Sequence, residues 1–129
     1  MTLQSGNKST YETGAQRDSD DTKSRPDLVP GICMLRLGHR YADGAKYYGA
    51  HNFEKGIPSS RGLASLQRHL EQWKAGDPLE DHLGGLLFNA FLLMFNEEMA
   101  GTGHFKDDKF ILDHPRYKGY HEQIRSEEE

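Results

Sequence analysis

Cysteine is nearly absent from this sequence, since Cys33 is the single one among 129 residues. One thiol excludes an internal disulfide and any zinc site built from several cysteines. Positive charge is not in excess either, because 16 Lys and Arg stand against 20 Asp and Glu, a formal net charge of −4. A basic face for non-specific nucleic-acid binding is therefore not expected.

The sequence also lacks a long apolar run, a phosphate-binding glycine loop and the motif of a serine nucleophile. The uncharged apolar run over residues 83–95 is too short to cross a bilayer, and the polar start of the sequence has no secretory-type hydrophobic core. Neither a Walker-type glycine loop nor a G-x-S-x-G sequence occurs, which excludes a P-loop nucleotide enzyme. These features predict one small, reduced, cytoplasmic domain.

The sequence divides by composition into four parts. Residues 1–12 are polar and expected to be disordered, and residues 13–30 predict an arm without secondary structure of its own. Residues 31–101 hold most of the apolar content and predict a helical core, whereas residues 102–129 form a tail with a short apolar patch. Nothing alternates with a period of two, so the predicted fold class is all-α.

Three helices are predicted in the core. The first covers residues 31–48, where apolar residues recur at three- and four-residue spacing, and Gly49 suits its C-cap. The second begins near Ser59 or Ser60, either of which can act as N-cap, and ends at Gly76. The core of this bundle is expected to contain Cys33, Trp73 and Phe88.

The third helix has the clearest start signal. Asp77 can be its N-cap, Pro78 its first helical residue, and Glu80 completes a capping box. The helix is then almost wholly apolar over residues 83–95. Such a helix must be surrounded, and a chain of this length has too few other helices to surround it. We therefore expect an oligomer formed through the third helix, with its two adjacent glycines admitting a close partner.

A candidate site lies where the second and third helices meet. A short turn joins them, so they are expected to pack antiparallel and to bring polar side chains of both together: Arg68, His69, Gln72, Glu80, Asp81 and His82. Carboxylates are ligands that Mg²⁺ prefers, together with substrate phosphates. The alternative stays open that the acids only cap the third helix and complement its dipole.

Two further segments carry groups that suit phosphate or base contacts. The loop GAKYYGAHNFEKG, residues 44–56, combines aromatic, cationic and amide side chains with glycines, although an ordinary aromatic-rich turn has the same composition. On the first helix, His39, Asp43 and Lys46 share one face, which is either functional or a solvated face with an i,i+4 pair. The cations of the arm are either surface charges or a clamp over a phosphate chain.

Five stretches of the sequence together resemble one known family. They are ETGAQRD (12–18), KSRPDLVP (23–30), YADGAKYYGAHNFEKG (41–56), RHLEQWKAGD (68–77) and EDHLGGLLFNAFLL (80–93). The chain resembles the phage-type dATP/dGTP diphosphohydrolases, a branch of the MazG-like all-α nucleoside triphosphate pyrophosphohydrolases. The resemblance extends from about residue 12 to about residue 98.

The resemblance implies a MazG-like helical bundle assembled as a dimer or a dimer of dimers. It implies hydrolysis of a purine deoxynucleoside triphosphate to the monophosphate and pyrophosphate with Mg²⁺ or Mn²⁺. It implies substrate contacts from the loop and the arm, at Lys46, Tyr48, Asn52, Phe53 (Phe in place of the usual Trp), Lys55, Arg17, Lys23 and Arg25. It implies catalytic or substrate roles on the second and third helices for Arg68, His69, Glu80, Asp81, His82 and Asn89.

One departure from the wider superfamily affects the metal ligands. That superfamily uses E-E-x-x-E on one helix and E-x-x-D on the next, but the second helix here reads SSRGLASLQRHLEQW, and Gly85 stands where the second motif's Asp would fall. The metal set must therefore be different or smaller. Its first candidates are Glu80 and Asp81, with Glu54, Asp77 and Asp43 in reserve.

A second class of function stays open on the sequence alone. The mismatch with the superfamily's metal motifs and the apolar third helix also suit a non-catalytic helical module that binds a protein or a nucleotide. Single-strand nucleic-acid binding by the aromatics of residues 47–53 fits the negative net charge poorly.

Overall fold

The computed structural model shows a mostly helical chain and describes residues 8–19, 23–108 and 119–128. Its elements are β1 (Lys8–Thr10), β2 (Gln16–Asp18), a 3₁₀ turn (Pro26–Leu28), α1 (Gly31–Tyr48), a second 3₁₀ turn (Asn52–Lys55), α2 (Ser59–Lys74), α3 (His82–Met99) and α4 (Tyr120–Glu128). The helical class is confirmed, with one small sheet added. No helix in the described part of the chain is both long and apolar enough to cross a membrane.

Residue contacts divide the chain into two units, Met1–Leu35 and Arg36–Glu129. In the first unit β1 and β2 pair antiparallel, with Ser9 opposite Arg17. This hairpin lies where the sequence predicted disorder or an arm without secondary structure. Its three-residue strands, KST and QRD, are too short and too polar to show an alternating pattern. The predictions for residues 1–7 and for the apolar patch of the tail lie outside the described residues.

The second unit is built around the antiparallel pair of α2 and α3. Gly62 of α2 lies against Leu92 of α3, and Gly85 of α3 lies against His69 of α2, which fixes the opposite directions of the two helices. A Cβ atom on Gly85 would lie 2.7 Å from His69 Nε2. Gly85 therefore serves close packing inside the chain, whereas the sequence suggested that it would admit a partner.

Three of the six buried residues of α3 are polar. They are His82, Asn89 and Asn96, at helical spacing, and the others are Gly84, Gly85 and Leu92. Among the described residues the buried apolar side chains are Leu37 and Leu92. Trp73 is 51% exposed and Cys33 is exposed, so the prediction that both belong to the core was wrong.

Local signals predicted the ends of two helices correctly. Helix α1 has the predicted bounds, and Gly49 follows it with φ of 90° while its N–H donates to the Ala45 carbonyl. Gly76 ends α2 with φ of 77°. Positive φ is a conformation that glycine adopts without steric cost. In both cases, a glycine that follows the periodic segment marks the end of the helix.

The start of α3 differs from the prediction. Its N-cap is Asp81, whose carboxylate accepts a hydrogen bond from the Gly84 N–H at 3.1 Å. The capping box of residues 77–80 does not form, because Asp77 accepts from His82 and from the Leu79 N–H. Long-range partners of these acids therefore override the local start signal.

The start of α2 is capped from a distant segment. The N-cap position is Pro58, so the prediction of a serine N-cap was wrong. Ser59 and Ser60 instead donate their backbone N–H groups to Asp107 and Asp108, at 2.8 and 3.1 Å. Both serine hydroxyls donate to the same two carboxylates. These bonds tie the segment after α3 to the start of α2.

Candidate active site

A cavity of about 610 Å³ lies in the second unit between the C-terminal half of α1, the following loop and α3. Small-molecule sites typically measure about 300–1,000 Å³. Polar and aromatic side chains from all three segments line it, among them Arg40, Lys46, Asn52, Phe53, Glu80 and Asn89. Tyr48, another predicted substrate residue, lines it as well. The cavity is large enough for a nucleotide.

The loop after α1 turns sharply to face this cavity. Gly49 has φ of 90°, and His51 adopts the left-handed conformation with φ of 62° before the 3₁₀ turn begins. This turn brings Asn52 and Phe53 to the cavity wall. Glu54 is paired with His51 at 3.2 Å.

The ring of Phe53 is held by other aromatic side chains. Its centroid lies 5.5 Å from that of Tyr41, 5.8 Å from Phe88 and 5.3 Å from Phe95, each in an edge-on arrangement. Edge-to-face contacts of this kind stabilise rings beyond the burial of their surface. These contacts make Phe53 a fixed part of the cavity wall. Burial raises the pKa of the Tyr41 hydroxyl, and the negative charge of Glu54 raises that pKa further.

Beside the cavity, three side chains form a cluster that could hold a metal ion. His69 of α2, Glu80 before α3 and His82 of α3 each offer a ligand atom, and these atoms lie within 4.8 Å of one another. His69 and His82 are 8% and 3% exposed. Glu80 also lines the cavity, so the cluster and the cavity share one residue. We call these three residues the His–Glu–His cluster.

The hydrogen-bond partners of the two imidazoles assign their tautomers. Arg40 only donates, so His69 Nε2 accepts at 3.4 Å and the proton of His69 is on Nδ1. His69 Nδ1–H then donates to His82 Nδ1 at 3.0 Å. His82 Nε2–H donates to the Asp77 carboxylate at 2.6 Å. Burial lowers the pKa of His69, which favours its neutral form.

Two arginines of α1 pair with the acids that precede α3. Arg40 donates to Glu80 at 2.9 Å, and Arg36 donates to both oxygens of Asp81 at 2.5 and 3.1 Å. These hydrogen bonds lower the pKa of both carboxyl groups. Sequence reasoning missed Arg36 and Arg40. Their spacing of four residues, which puts both on one face of α1, was the available signal.

The donor set of the His–Glu–His cluster fits a transition metal better than Mg²⁺. Mg²⁺ prefers oxygen ligands, whereas imidazole suits Zn, Fe, Cu and Ni. Two nitrogens bound to one ion at about 2.1 Å lie about 3.0–3.4 Å apart at angles of roughly 90–110°. The 3.0 Å between the two imidazoles meets that requirement. Asp77 accepts a hydrogen bond from His82, and metal-bound histidines commonly donate to a carboxylate in this way.

The predicted site residues lie in several places, and His69, Glu80 and His82 form the cluster itself. Around the cavity lie Lys46, Tyr48, Asn52, Phe53, Glu80 and Asn89. Next to the His–Glu–His cluster lie Asp77 and the N-cap Asp81, which is not a member of it. Arg68 and Lys55 are exposed. The substrate contacts predicted for Arg17, Lys23 and Arg25, which belong to the first unit, stay predictions, as do the metal roles of Glu54 and Asp77.

Comparison with known proteins decides the family. A family model described as "dATP/dGTP diphosphohydrolase, N-terminal" matches residues 13–109, which include α1, α2, α3 and the whole lining of the cavity. The chain belongs to this family. No curated protein and no solved structure matches it. The match confirms, at the level of the dATP/dGTP diphosphohydrolase family, the resemblance inferred from the sequence motifs.

Proposed function

We propose that this protein hydrolyses a purine deoxynucleoside triphosphate, dGTP or dATP, to the monophosphate and pyrophosphate with a divalent metal ion. The observation that carries this proposal is the shared position of Glu80, which lines a nucleotide-sized cavity and belongs to the buried His–Glu–His cluster. The name of the family supports the class of reaction.

The wall of the cavity suggests how a nucleotide would lie. Phe53 offers an aromatic surface for the base, and the amides of Asn52 and Asn89 offer donors and acceptors for its edge. Asn89 already donates to Ser65 at 3.1 Å and to the Gly85 carbonyl at 2.7 Å, which leaves its amide oxygen as the acceptor for a ligand. Lys46 and Arg40 supply positive charge for the phosphates.

The same residues define how the phosphates would meet the metal. A divalent ion held by His69, Glu80 and His82 would neutralise phosphate charge and lower the pKa of an attacking water. Asp77 keeps the Nδ1 lone pair of His82 directed at the cluster. Two of the three donors are nitrogens, which suit Mg²⁺ poorly, so we expect Mg²⁺ to support the reaction less well than a transition-metal ion. The arm cations Arg17, Lys23 and Arg25 remain proposed phosphate contacts.

Further parts of the proposal concern assembly and context. We propose a homodimer or homotetramer formed through α3, whose apolar side chain Met94 is 51% exposed. The motif resemblance extends to MazZ, the purine-nucleotide member found in phages that replace adenine with 2-aminoadenine. On that resemblance we infer a role in phage nucleotide metabolism in the host cytoplasm.

One observation favours the alternative of a non-catalytic binding module. Glu80 and Asp81 are both neutralised by arginines, at 2.9 and 2.5 Å, as acids in a purely structural network would be. Thermal unfolding separates the two functions. The enzyme is stabilised by a non-hydrolysable dGTP analogue more strongly with Mn²⁺ than with EDTA, whereas a module without a metal site responds equally in both conditions. Product analysis with dGTP and Mn²⁺ tests the reaction itself.

A further inference from the structure

The guanidinium of Arg40 bridges two of the three residues of the His–Glu–His cluster. Its Nη1 donates to Glu80 Oε2 at 2.9 Å, and its Nη2 lies 3.4 Å from His69 Nε2. The side chain is 27% exposed and lines the cavity. Arg40 therefore supplies the positive charge that a metal ion would bring to the cluster.

A metal ion at the cluster is incompatible with the contact between Arg40 and His69. If the ion binds His69 Nε2, it takes the lone pair that Arg40 now uses. If it binds Nδ1, the proton of the neutral imidazole moves to Nε2, where it faces the N–H groups of Arg40. The contact is lost in both cases. Metal binding also places a second positive charge against Arg40 at Glu80, which weakens that ion pair.

The released side chain has a defined anionic target. Arg40 already lines the cavity that also contains Lys46, so its guanidinium reaches a bound polyphosphate without leaving the site. A planar guanidinium binds phosphate oxygens in a bidentate manner, which Lys46 cannot do. Arg36 lacks this position, because it pairs with Asp81 and is not part of the cavity lining.

We propose that Arg40 is a phosphate-binding residue for the triphosphate and that a metal ion frees it by taking its place in the cluster. This inference rests on the proposed function and adds a coupling to it. Metal and nucleotide bind cooperatively, because each favours the arrangement in which Arg40 has left His69 and Glu80. Such coupling is reciprocal by thermodynamic necessity.

Titration of the full chain with Mn²⁺ alone, followed by the electron paramagnetic resonance signal of free Mn²⁺, tests the first half. Arg40→Met keeps the length of the side chain and removes the competing charge, so we expect about tenfold tighter Mn²⁺ binding than in the wild type. Arg36→Met is the matched control, and its Mn²⁺ affinity stays that of the wild type. Equal affinities for wild type and Arg40→Met overturn the inference.

Binding of α,β-methylene dGTP at saturating Mn²⁺ tests the second half. We expect Arg40→Met to bind this analogue about tenfold more weakly, since one charge-assisted contact is lost, while Arg36→Met retains its affinity. An unchanged affinity of Arg40→Met overturns the phosphate role. Should the Met variant fail to fold, Arg40→Lys replaces it, because one ammonium cannot bridge both residues, and its Mn²⁺ affinity also rises.

These two measurements involve no turnover. A wild-type protein that releases no pyrophosphate contradicts the proposed function. A protein that is active but binds Mn²⁺ equally with and without Arg40 contradicts this inference alone.

Discussion

His69 Nδ1 and His82 Nδ1 lie 3.0 Å apart between α2 and α3. The packing of the two helices creates this pair, since Gly85 is the residue of α3 that leaves room for the His69 ring. One proton joins the two nitrogens, and the proposed metal ion would take its place. This relationship makes the α2–α3 interface the centre of the proposed site.

Removal of one imidazole should weaken metal binding at this pair. We expect His69→Gln to lose about tenfold or more in Mn²⁺ affinity and to lose turnover with dGTP, because a cluster member is absent. His39→Gln is the matched control, since His39 is an exposed histidine of α1. Isothermal titration with Mn²⁺ measures the affinity. Wild-type Mn²⁺ affinity in His69→Gln would show that the ion binds elsewhere.

A methyl group at Gly85 should displace the His69 ring. The added Cβ would lie 2.7 Å from His69 Nε2, so Gly85→Ala should lower the free energy of unfolding by about 1–2 kcal/mol despite the better helix propensity of alanine. Gly38→Ala is the control, because no atom lies within 4 Å of its new Cβ, and it should stabilise the protein by up to about 1 kcal/mol. Urea unfolding measures both values. A stabilised Gly85→Ala variant would contradict this packing.

Loss of the Asn52 amide should change the preference for the base. Asn52 lies at the cavity wall beside Phe53, so Asn52→Ala should alter the ratio of kcat/KM for dGTP to that for dATP by about tenfold. Its free energy of unfolding should stay within about 0.5 kcal/mol of the wild type. Gln67→Ala removes an exposed amide of α2 and should leave the ratio unchanged. An unchanged ratio in Asn52→Ala would mean that other residues select the base.

Asp108, which accepts hydrogen bonds from Ser60 at the start of α2, should give a pH-dependent contribution to stability. The Ser60 hydroxyl lowers the pKa of Asp108 below its ordinary value of 3.8 in the folded state. The charged carboxylate therefore stabilises the fold above pH 3.8, and this contribution is lost as the pH falls through the lower folded pKa.

We expect Asp108→Ala to lower the free energy of unfolding by about 0.5–1 kcal/mol at pH 7 and to approach the wild type near pH 2. Thermal unfolding over this pH range measures the difference. Asp108→Asn keeps an acceptor for the Ser60 N–H and should lose less than Asp108→Ala at pH 7. A difference between wild type and Asp108→Ala that does not change with pH would contradict the role of the charge.

Local sequence signals were sufficient for the three core helices but not for the N-terminal capping of α2 and α3. The periodicity of residues 31–48 predicted α1 correctly, and the glycines at 49 and 76 marked the ends of α1 and α2. The start of α2 is capped by Asp107 and Asp108, which lie 48 residues away in the sequence. The capping box expected at Asp77 was wrong because His82 and the Leu79 N–H occupy its carboxylate. Such partners become visible only once the chain has folded.

The candidate site was predicted only in part, because some of its contacts join residues that are distant in the sequence. The short turn between α2 and α3 predicted that His69, Glu80 and His82 would meet, and they do. The two histidines were not predicted as metal ligands, because Mg²⁺ prefers oxygen ligands and the sequence therefore indicated Glu80 and Asp81. Asp81 instead caps α3 and binds Arg36, a pairing across 45 residues that no local pattern shows.

The central claim is that this chain cleaves a purine dNTP between its α- and β-phosphates. Phosphorus nuclear magnetic resonance of the products from dGTP with Mn²⁺ tests it most directly, with Glu80→Gln as the inactive variant and Glu71→Gln, at an exposed acid of α2, as its matched control. The account predicts dGMP and pyrophosphate from wild type and Glu71→Gln, and none from Glu80→Gln. Release of single phosphates, or no turnover of dGTP and dATP by the wild type, would contradict it.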